Sequence, residues 1–311
     1  MTLTGEAFAL LAAFFFAING VAVAKGAAQG DGRGDHGALL SIVITTVMAT
    51  AVWLATPGAG ALAMPGPVLG TGIWWFALSG VLTIFLGRTL LYQSIAYVGA
   101  IRASMLLRLH PFFSVLLAAF ILGETISGTA GGGMALILLS FALLVRRAFG
   151  SARVGSTGET GNPEARSSPI HYVYGPASAL SYALGNIARK HALGIVPDSS
   201  FGTLVSALAG LVSFAVAALF VSRYRYAFTG VFRNASRWQY AAGVFASAGQ
   251  LSNFAAIQHI EVSRAVMITS SEIFLSMFLA VYVLKTEKRP EALTLLAGAM
   301  AMLGVVLVAL G

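Results

Sequence analysis

The chain has no cysteine, and charge is scarce: of 311 residues, only 10% are Asp, Glu, Lys or Arg, and only 11 of these are acidic. Without cysteine there is no disulfide scaffold, no thiolate metal site and no cysteine nucleophile. Soluble chains carry about 25% charged residues, so most helical faces here have no charge to present to water. That excludes a soluble globular enzyme of ordinary surface chemistry. Apolar residues fill the space, at 58% of the chain, and the mean hydropathy is +0.84. This is the composition of a polytopic membrane protein. The net charge of +8 comes from 19 basic residues, and their positions decide what it means.

A membrane helix needs about 20 mostly apolar residues to cross roughly 30 Å of hydrocarbon. Such segments fall near 6–24, 38–56, 70–97, 101–122, 128–145, 172–192, 200–221, 238–259, 263–284 and 291–310. The expectation is an all-α membrane protein with ten transmembrane helices. They form two five-helix units, 1–145 and 171–311, joined by a polar linker at 146–170. The linker holds Gly, Ser, Thr, Pro and charges with almost no large apolar residue, so it reads as solvated. Ala22-Val23-Ala24 resembles a signal cleavage site, but no Lys or Arg precedes the apolar run. The run is also too long for a signal segment, and the first segment reads as an uncleaved helix.

Basic residues stay on the cytoplasmic side of a membrane. Fourteen of the 19 fall in loops after odd-numbered segments, among them Lys25, Arg33, Arg146, Arg147, Arg223 and Lys285. That places those loops in the cytoplasm and both termini outside. The +8 therefore sets orientation and is no nucleic-acid footprint. The expected partners are a small-molecule substrate and membrane lipids, with no nucleic acid and no cofactor. The expected setting is a bacterial inner membrane, crossed by a monomer or homodimer.

The two units align at an offset of 162. Tyr97 to Met105 falls on His259 to Met267, with Arg102 on Arg264, Phe112 on Phe274 and Ser114 on Ser276. Near the first helix of each unit, Asn19 with Lys25 resembles Asn186 with Arg189 and Lys190. An odd number of crossings per copy turns the second copy upside down. Secondary transporters use such inverted repeats to expose a central site to alternate sides.

The order Asn19…Lys25, Ile101-Arg102-Ala103…His110-Pro111, Leu122-Gly123-Glu124 and Gly131-Gly132-Gly133 resembles the EamA-type family of the drug/metabolite transporter superfamily. The resemblance spans about 6 to 310. It implies a ten-helix carrier with a central cavity lined by spans 1, 3, 4, 6, 8 and 9. It also implies substrates ranging over amino acids, drugs, sugars and other metabolites. The second unit departs from the pattern. Ile273 stands where the family proline would fall, so the ninth span lacks the residue that breaks the fourth, and Lys285-Thr286-Glu287 replaces Leu-Gly-Glu.

Charges at mid-bilayer cost roughly 2.5–3.5 kcal/mol each, so they are usually functional or paired. Four ionisable residues stand out: Arg88 in span 3, Arg108 and His110 in span 4, and Glu272 in span 9. His110 and Glu272 correspond under the repeat offset. Each has a serine one turn on, Ser114 and Ser276. Pro111 removes a backbone hydrogen bond beside His110 and marks a helix break at the depth of a midplane site. Glu272 is the candidate proton acceptor or amine partner, and His110 shares or tunes that proton. Arg88 or Arg108 would bind a carboxylate or phosphate. The alternative is a buried ion pair that ties the repeats together. Asn19, Tyr92, Asn186, Gln250 and Asn253 form a second tier, either lining the cavity or bonding helix to helix. Gln250 holds the repeat position of Arg88. Lys25, Arg189 and Lys190 end spans 1 and 6 and read as anchors that snorkel to the interface.

Gly32-Arg33-Gly34-Asp35-His36-Gly37 matches a dinucleotide fingerprint, yet it joins two apolar segments rather than a strand and a helix. No histidine pair has metal-ligand spacing. The glycines of spans 5 and 10 read as close helix packing. The function expected is a secondary transporter that moves a small organic solute by alternating access, with proton-coupled export. A lipid-linked sugar flippase of the same superfamily and an intramembrane enzyme are the two alternatives.

Overall fold

The computed structural model describes residues 4–28, 34–56, 61, 64–98, 103, 106–107, 109–154, 169–222, 224–225, 228, 235–279 and 292–310. Among these residues the protein is all helix, with no strand. In the first unit, α1 spans Thr4–Ala28 and α2 Gly34–Ala55. Next, α3 (Gly66–Gly80) runs through a widened π-helical stretch, Val81–Gly87, into α4 (Arg88–Val98). Then come α5 (His110–Leu117), widened over Ala118–Leu122, and α6 (Gly128–Val154). The second unit holds α7 (Tyr174–Ile195), α8 (Ser199–Phe220) and α9 (Arg237–His259). It ends with α10 (Val262–Thr269), α11 (Glu272–Phe278) and α12 (Ala292–Leu310).

Two boundaries differ from the expectation. The linker expected at 146–170 begins as helix, since α6 continues to Val154, where Arg146-Arg147-Ala148 are good helix formers; its residues 155–168 lie outside the described residues. A single 3₁₀ turn, Pro169–Val173, precedes α7. The ninth span is also interrupted without a proline: α10 stops at Thr269 and α11 restarts at Glu272. The Ser270 hydroxyl donates to the Val266 carbonyl at 2.7 Å, and Ser271 N bonds the Ile268 carbonyl at 3.1 Å. The break thus falls at two consecutive serines, Ser270 and Ser271, with no proline beside them.

By length and composition, four helical segments can cross a membrane: Thr4–Val23, Gly37–Ala55, Gly66–Leu91 and Ser199–Phe220. Shorter apolar helices cover His110–Leu122, Gly128–Ser140 and Leu296–Val308. The outer faces carry Leu54, Trp74, Phe120, Leu219 and Phe220, each more than half exposed. Such side chains are expected against lipid and not against water. By contrast, α7 is more polar and buries Ser178, Ser181, Asn186 and Arg189. It touches protein rather than lipid, so it can carry what a lipid-facing helix cannot.

The packing has the symmetry of a repeat. α1 lies along α9 as α3 lies along α7. Likewise α2 meets α9 as α8 meets α3, and α5 meets α7 as α11 meets α1. The pairs α2–α8 and α6–α12 map onto themselves. Exchanging the two units therefore reproduces the contacts, as a twofold axis requires. At the α6–α12 crossing, Gly133 and Gly304 pack back to back. A Cβ on Gly133 would lie 2.5 Å from the Gly304 carbonyl oxygen. The apolar core centres on Phe76, Phe254, Ile257, Met267 and Ile268.

Candidate functional site

Sequence order puts His110 at the first position of α5, directly after the turn at Leu109, with buried Pro111 as the next residue. Pro111 has no N–H to contribute and costs nothing at the start of a helix. This places the imidazole against α7, where Asn186 Nδ2 donates to His110 Nε2 at 3.1 Å. Tyr182, one turn earlier on α7, meets the His110 ring edge to face at 6.0 Å.

One turn further along α7 is Arg189, which the sequence marks as an anchor at the end of span 6. The structure corrects this. α7 continues to Ile195, so Arg189 lies well inside the helix and is only 2% exposed. Its Nη1 donates to Asn253 Oδ1 on α9 at 2.7 Å, and its Cζ sits 3.8 Å over the Phe254 ring. Asn253 Nδ2 donates to Thr269 Oγ1 on α10 at 3.4 Å, and Thr269 Oγ1 reaches the Ala9 carbonyl on α1 at 3.5 Å. One polar chain thus crosses from the second repeat into the first. The spacing Asn186-x-x-Arg189 was the available signal, because residues three apart share a helix face.

Lys190 does not snorkel either. Its Nζ donates to the Ile257 and Ile260 carbonyls at 2.9 and 2.8 Å. These are unpaired acceptors at the α9 C-terminus, where a cation is favoured. Lys25 lies 4.7 Å from the centroid of the Trp238 ring.

A second polar region also includes Phe254. Here a narrow cleft of about 10 Å³ is lined by Arg88, Gln250, Thr45, Thr203, Ser206 and Phe254, room for about one water molecule. Arg88 and Gln250, repeat equivalents, therefore share one space. Arg88 follows the widened turn Val81–Gly87 and donates from Nη1 to the Ala38 carbonyl at 3.2 Å. Such turns recur at functional positions.

Glu272 is half-buried at the start of α11. Asn19 is half-buried on α1. Arg108 lies outside the described residues, as does the side chain of Tyr92. Among the described residues, no group of three His, Asp or Glu side chains could hold a metal ion.

Sequence reasoning assigned no role to Glu124. Gly123 adopts φ 67° and ends the fourth span, a conformation that favours glycine. The reversal sends the Glu124 carboxylate to the N-terminus of α10. There it accepts from Val262 N at 2.7 Å, Ser263 N at 3.0 Å and Ser263 Oγ at 2.6 Å. The Leu122-Gly123-Glu124 motif is thus a turn plus a cap for the opposite repeat. Beside it, Arg264 Nη1 pairs with Glu6 Oε1 at 3.3 Å, and Phe8 stacks on His259 with centroids 6.0 Å apart. One end of the bundle is closed by contacts between repeats.

Known proteins share the fold. The EamA-like transporter family matches residues 3–146 and 170–310. The chain belongs to that family. No curated protein matches the sequence. A solved structure, described only as the crystal structure of a protein, shares the fold with a TM-score of 0.66 and 17% identity. The match covers 97% of this chain and 95% of the other. The EamA-like assignment makes the protein a membrane transporter of the drug/metabolite superfamily, and the two family matches coincide with the two packing units.

Proposed function

We propose that the protein is a secondary active transporter that moves a small organic solute across a bacterial inner membrane by alternating access. It is driven by protons in the export direction. Ten crossings in two inverted five-helix repeats provide the two halves that rock against each other. The observation that carries this reading is the polar chain Arg189–Asn253–Thr269–Ala9, which joins the repeats in the bundle interior. The adjoining cleft holds Arg88 and Gln250. Polar groups in a lipid-embedded bundle interior mark a substrate path.

In this scheme the narrow cleft widens as the repeats rock and admits the solute, and Glu272, at the helix break of the ninth span, exchanges the coupling proton. The bonds of Glu124, Lys190 and Arg264 form the closed gate at one end. Arg88 is half-buried and Arg189 fully buried. Their inward placement favours a soluble solute over a lipid-linked sugar that would enter sideways.

The test is transport in proteoliposomes under an imposed pH gradient. Glu272→Gln is expected to abolish pH-driven flux while solute exchange without a gradient persists. Wild-type pH-driven flux from this variant would remove Glu272 from coupling.

A further inference from the structure

The two ends of the seam between α1 and α9 are chemically unlike. The helices run antiparallel: Gly5 meets Ile260 at one end, and Lys25 meets Trp238 at the other. At the first end charge is matched, since Glu6 pairs with Arg264. At the second, two cations share one ring. Lys25 Nζ lies 4.7 Å and Arg237 Cζ 5.4 Å from the centre of the Trp238 indole. The start of α9 adds the positive end of a 23-residue helix dipole. Glu6, Glu124 and Asp198 do not offset this charge, because each is bonded at the opposite end of the bundle.

A tryptophan at a membrane interface ordinarily turns its N–H toward the headgroups. Trp238 does not, for its Nε1 is buried without an acceptor. The indole acts instead as a platform that gathers Lys25, half-buried, and Arg237, exposed. The repeat supplies an internal comparison. Where α7 ends against α3, as α1 ends against α9, Trp75 packs on His191 with centroids 4.5 Å apart. Lys190, beside His191, turns inward to the Ile257 and Ile260 carbonyls. The fold thus calls for an aromatic ring at each corner, and the corner at Trp238 presents two cations with it.

An apolar strip starts at the same place. Arg237, Tyr240 and Val244 follow the i, i+3, i+7 spacing of one helix face. All three are exposed, as is Val23 on α1, two residues before Lys25. A basic head above an apolar strip complements a molecule with an anionic head and hydrocarbon chains, which the bilayer itself supplies.

We propose that Lys25, Arg237 and Trp238 form a binding site for one anionic phospholipid, its phosphodiester at the two cations and an acyl chain along Tyr240 and Val244. The apolar strip distinguishes this lipid from free phosphate. The site requires that the protein be embedded in a bilayer, and it is independent of which solute is carried.

The experiment titrates lipid into the purified protein in non-ionic detergent and follows bound molecules by native mass spectrometry. Phosphatidylglycerol, phosphatidylcholine and inorganic phosphate are the probes. Wild type is expected to hold one phosphatidylglycerol about 10-fold or more tightly than phosphatidylcholine. Each basic residue at a headgroup contributes about fivefold. Lys25→Ala/Arg237→Ala is therefore expected to weaken phosphatidylglycerol about 30-fold and to leave phosphatidylcholine unchanged. Arg237→Gln alone, at an exposed position, is expected to lose about fivefold, and Arg237→Lys to lose little. Arg146→Ala/Arg147→Ala removes two cations from the same basic set, on α6, which packs on α12. That variant is expected to bind as wild type does.

Equal wild-type affinities for the two lipids would overturn the site. So would wild-type phosphatidylglycerol affinity in the double variant or in Arg237→Gln. An equal loss in the Arg146 and Arg147 variant would reduce the attraction to a diffuse effect of the basic face. Displacement of the lipid by excess inorganic phosphate would show a soluble-anion site in its place.

Discussion

Asn253 shows how much can rest on one side chain in an apolar interior. It is the hydrogen-bond acceptor for a guanidinium that water does not reach, and it also donates to Thr269. Removing one partner of a buried charged bond leaves the other uncompensated, at a cost of about 3–5 kcal/mol. Asn253→Leu is therefore expected to lower the thermal midpoint in detergent markedly, whereas Asn253→Asp is expected not to. Melting curves of the two variants side by side check this. At this scale the sequence was partly legible. His110, Asn186 and Asn253 stand out as polar residues inside apolar segments. Arg189 did not, because it lies three residues from an expected span end that the folded helix extends, and only the packing of α7 against α9 shows it to be internal.

Among the helices, α10 and α11 differ from the rest in being short and joined by a serine turn. An eight-residue helix is marginal in isolation, and α10 depends on its cap. The Glu124 carboxylate satisfies two of its free N–H groups and places negative charge at the positive end of the helix dipole. Glu124→Gln retains one acceptor oxygen and loses the charge, a cost of about 1–3 kcal/mol. The variant is expected to melt earlier and to expose the α10 amides to hydrogen exchange, while amides within α12 exchange as in wild type. The break between α10 and α11 could not be read from a proline pattern. It falls at Ser270 and Ser271, and serines that bond back to the i−4 carbonyl also sit inside unbroken helices of this chain, as Ser213 and Ser247 do.

For the molecule as a whole, the two units meet backbone to backbone where Gly133 and Gly304 abut. Without hydrocarbon-driven association, helices in a membrane hold together by close packing of small residues. A Cβ at Gly304 would lie 2.7 Å from the Gly133 carbonyl oxygen, and backbone cannot step aside as a side chain can. Gly133→Val is expected to separate α6 from α12 and to cost more than about 3 kcal/mol, at the severe end for a single substitution. Gly132→Ala, whose Cβ would meet nothing within 4 Å, is the control expected to fold normally. Yield of monodisperse protein after solubilisation distinguishes them.

Composition by itself determined the solvent. A chain with 58% hydrophobic and 10% charged residues has little surface for water, and continuous apolar runs of about 20 residues read as membrane helices, whose backbone is satisfied internally. The halves and their repeat were also legible, because landmarks such as His110 and Glu272 recur at a constant offset. Tertiary structure alone decided which polar residues face one another. It put Arg189 over Phe254, bound Lys190 to the end of α9 and set Glu124 on α10. The physical reason is that hydropathy measures transfer from water to lipid, whereas these side chains exchange water for particular partners. Those partners lie about 60 to 140 residues away in sequence, and only helix packing brings them within reach.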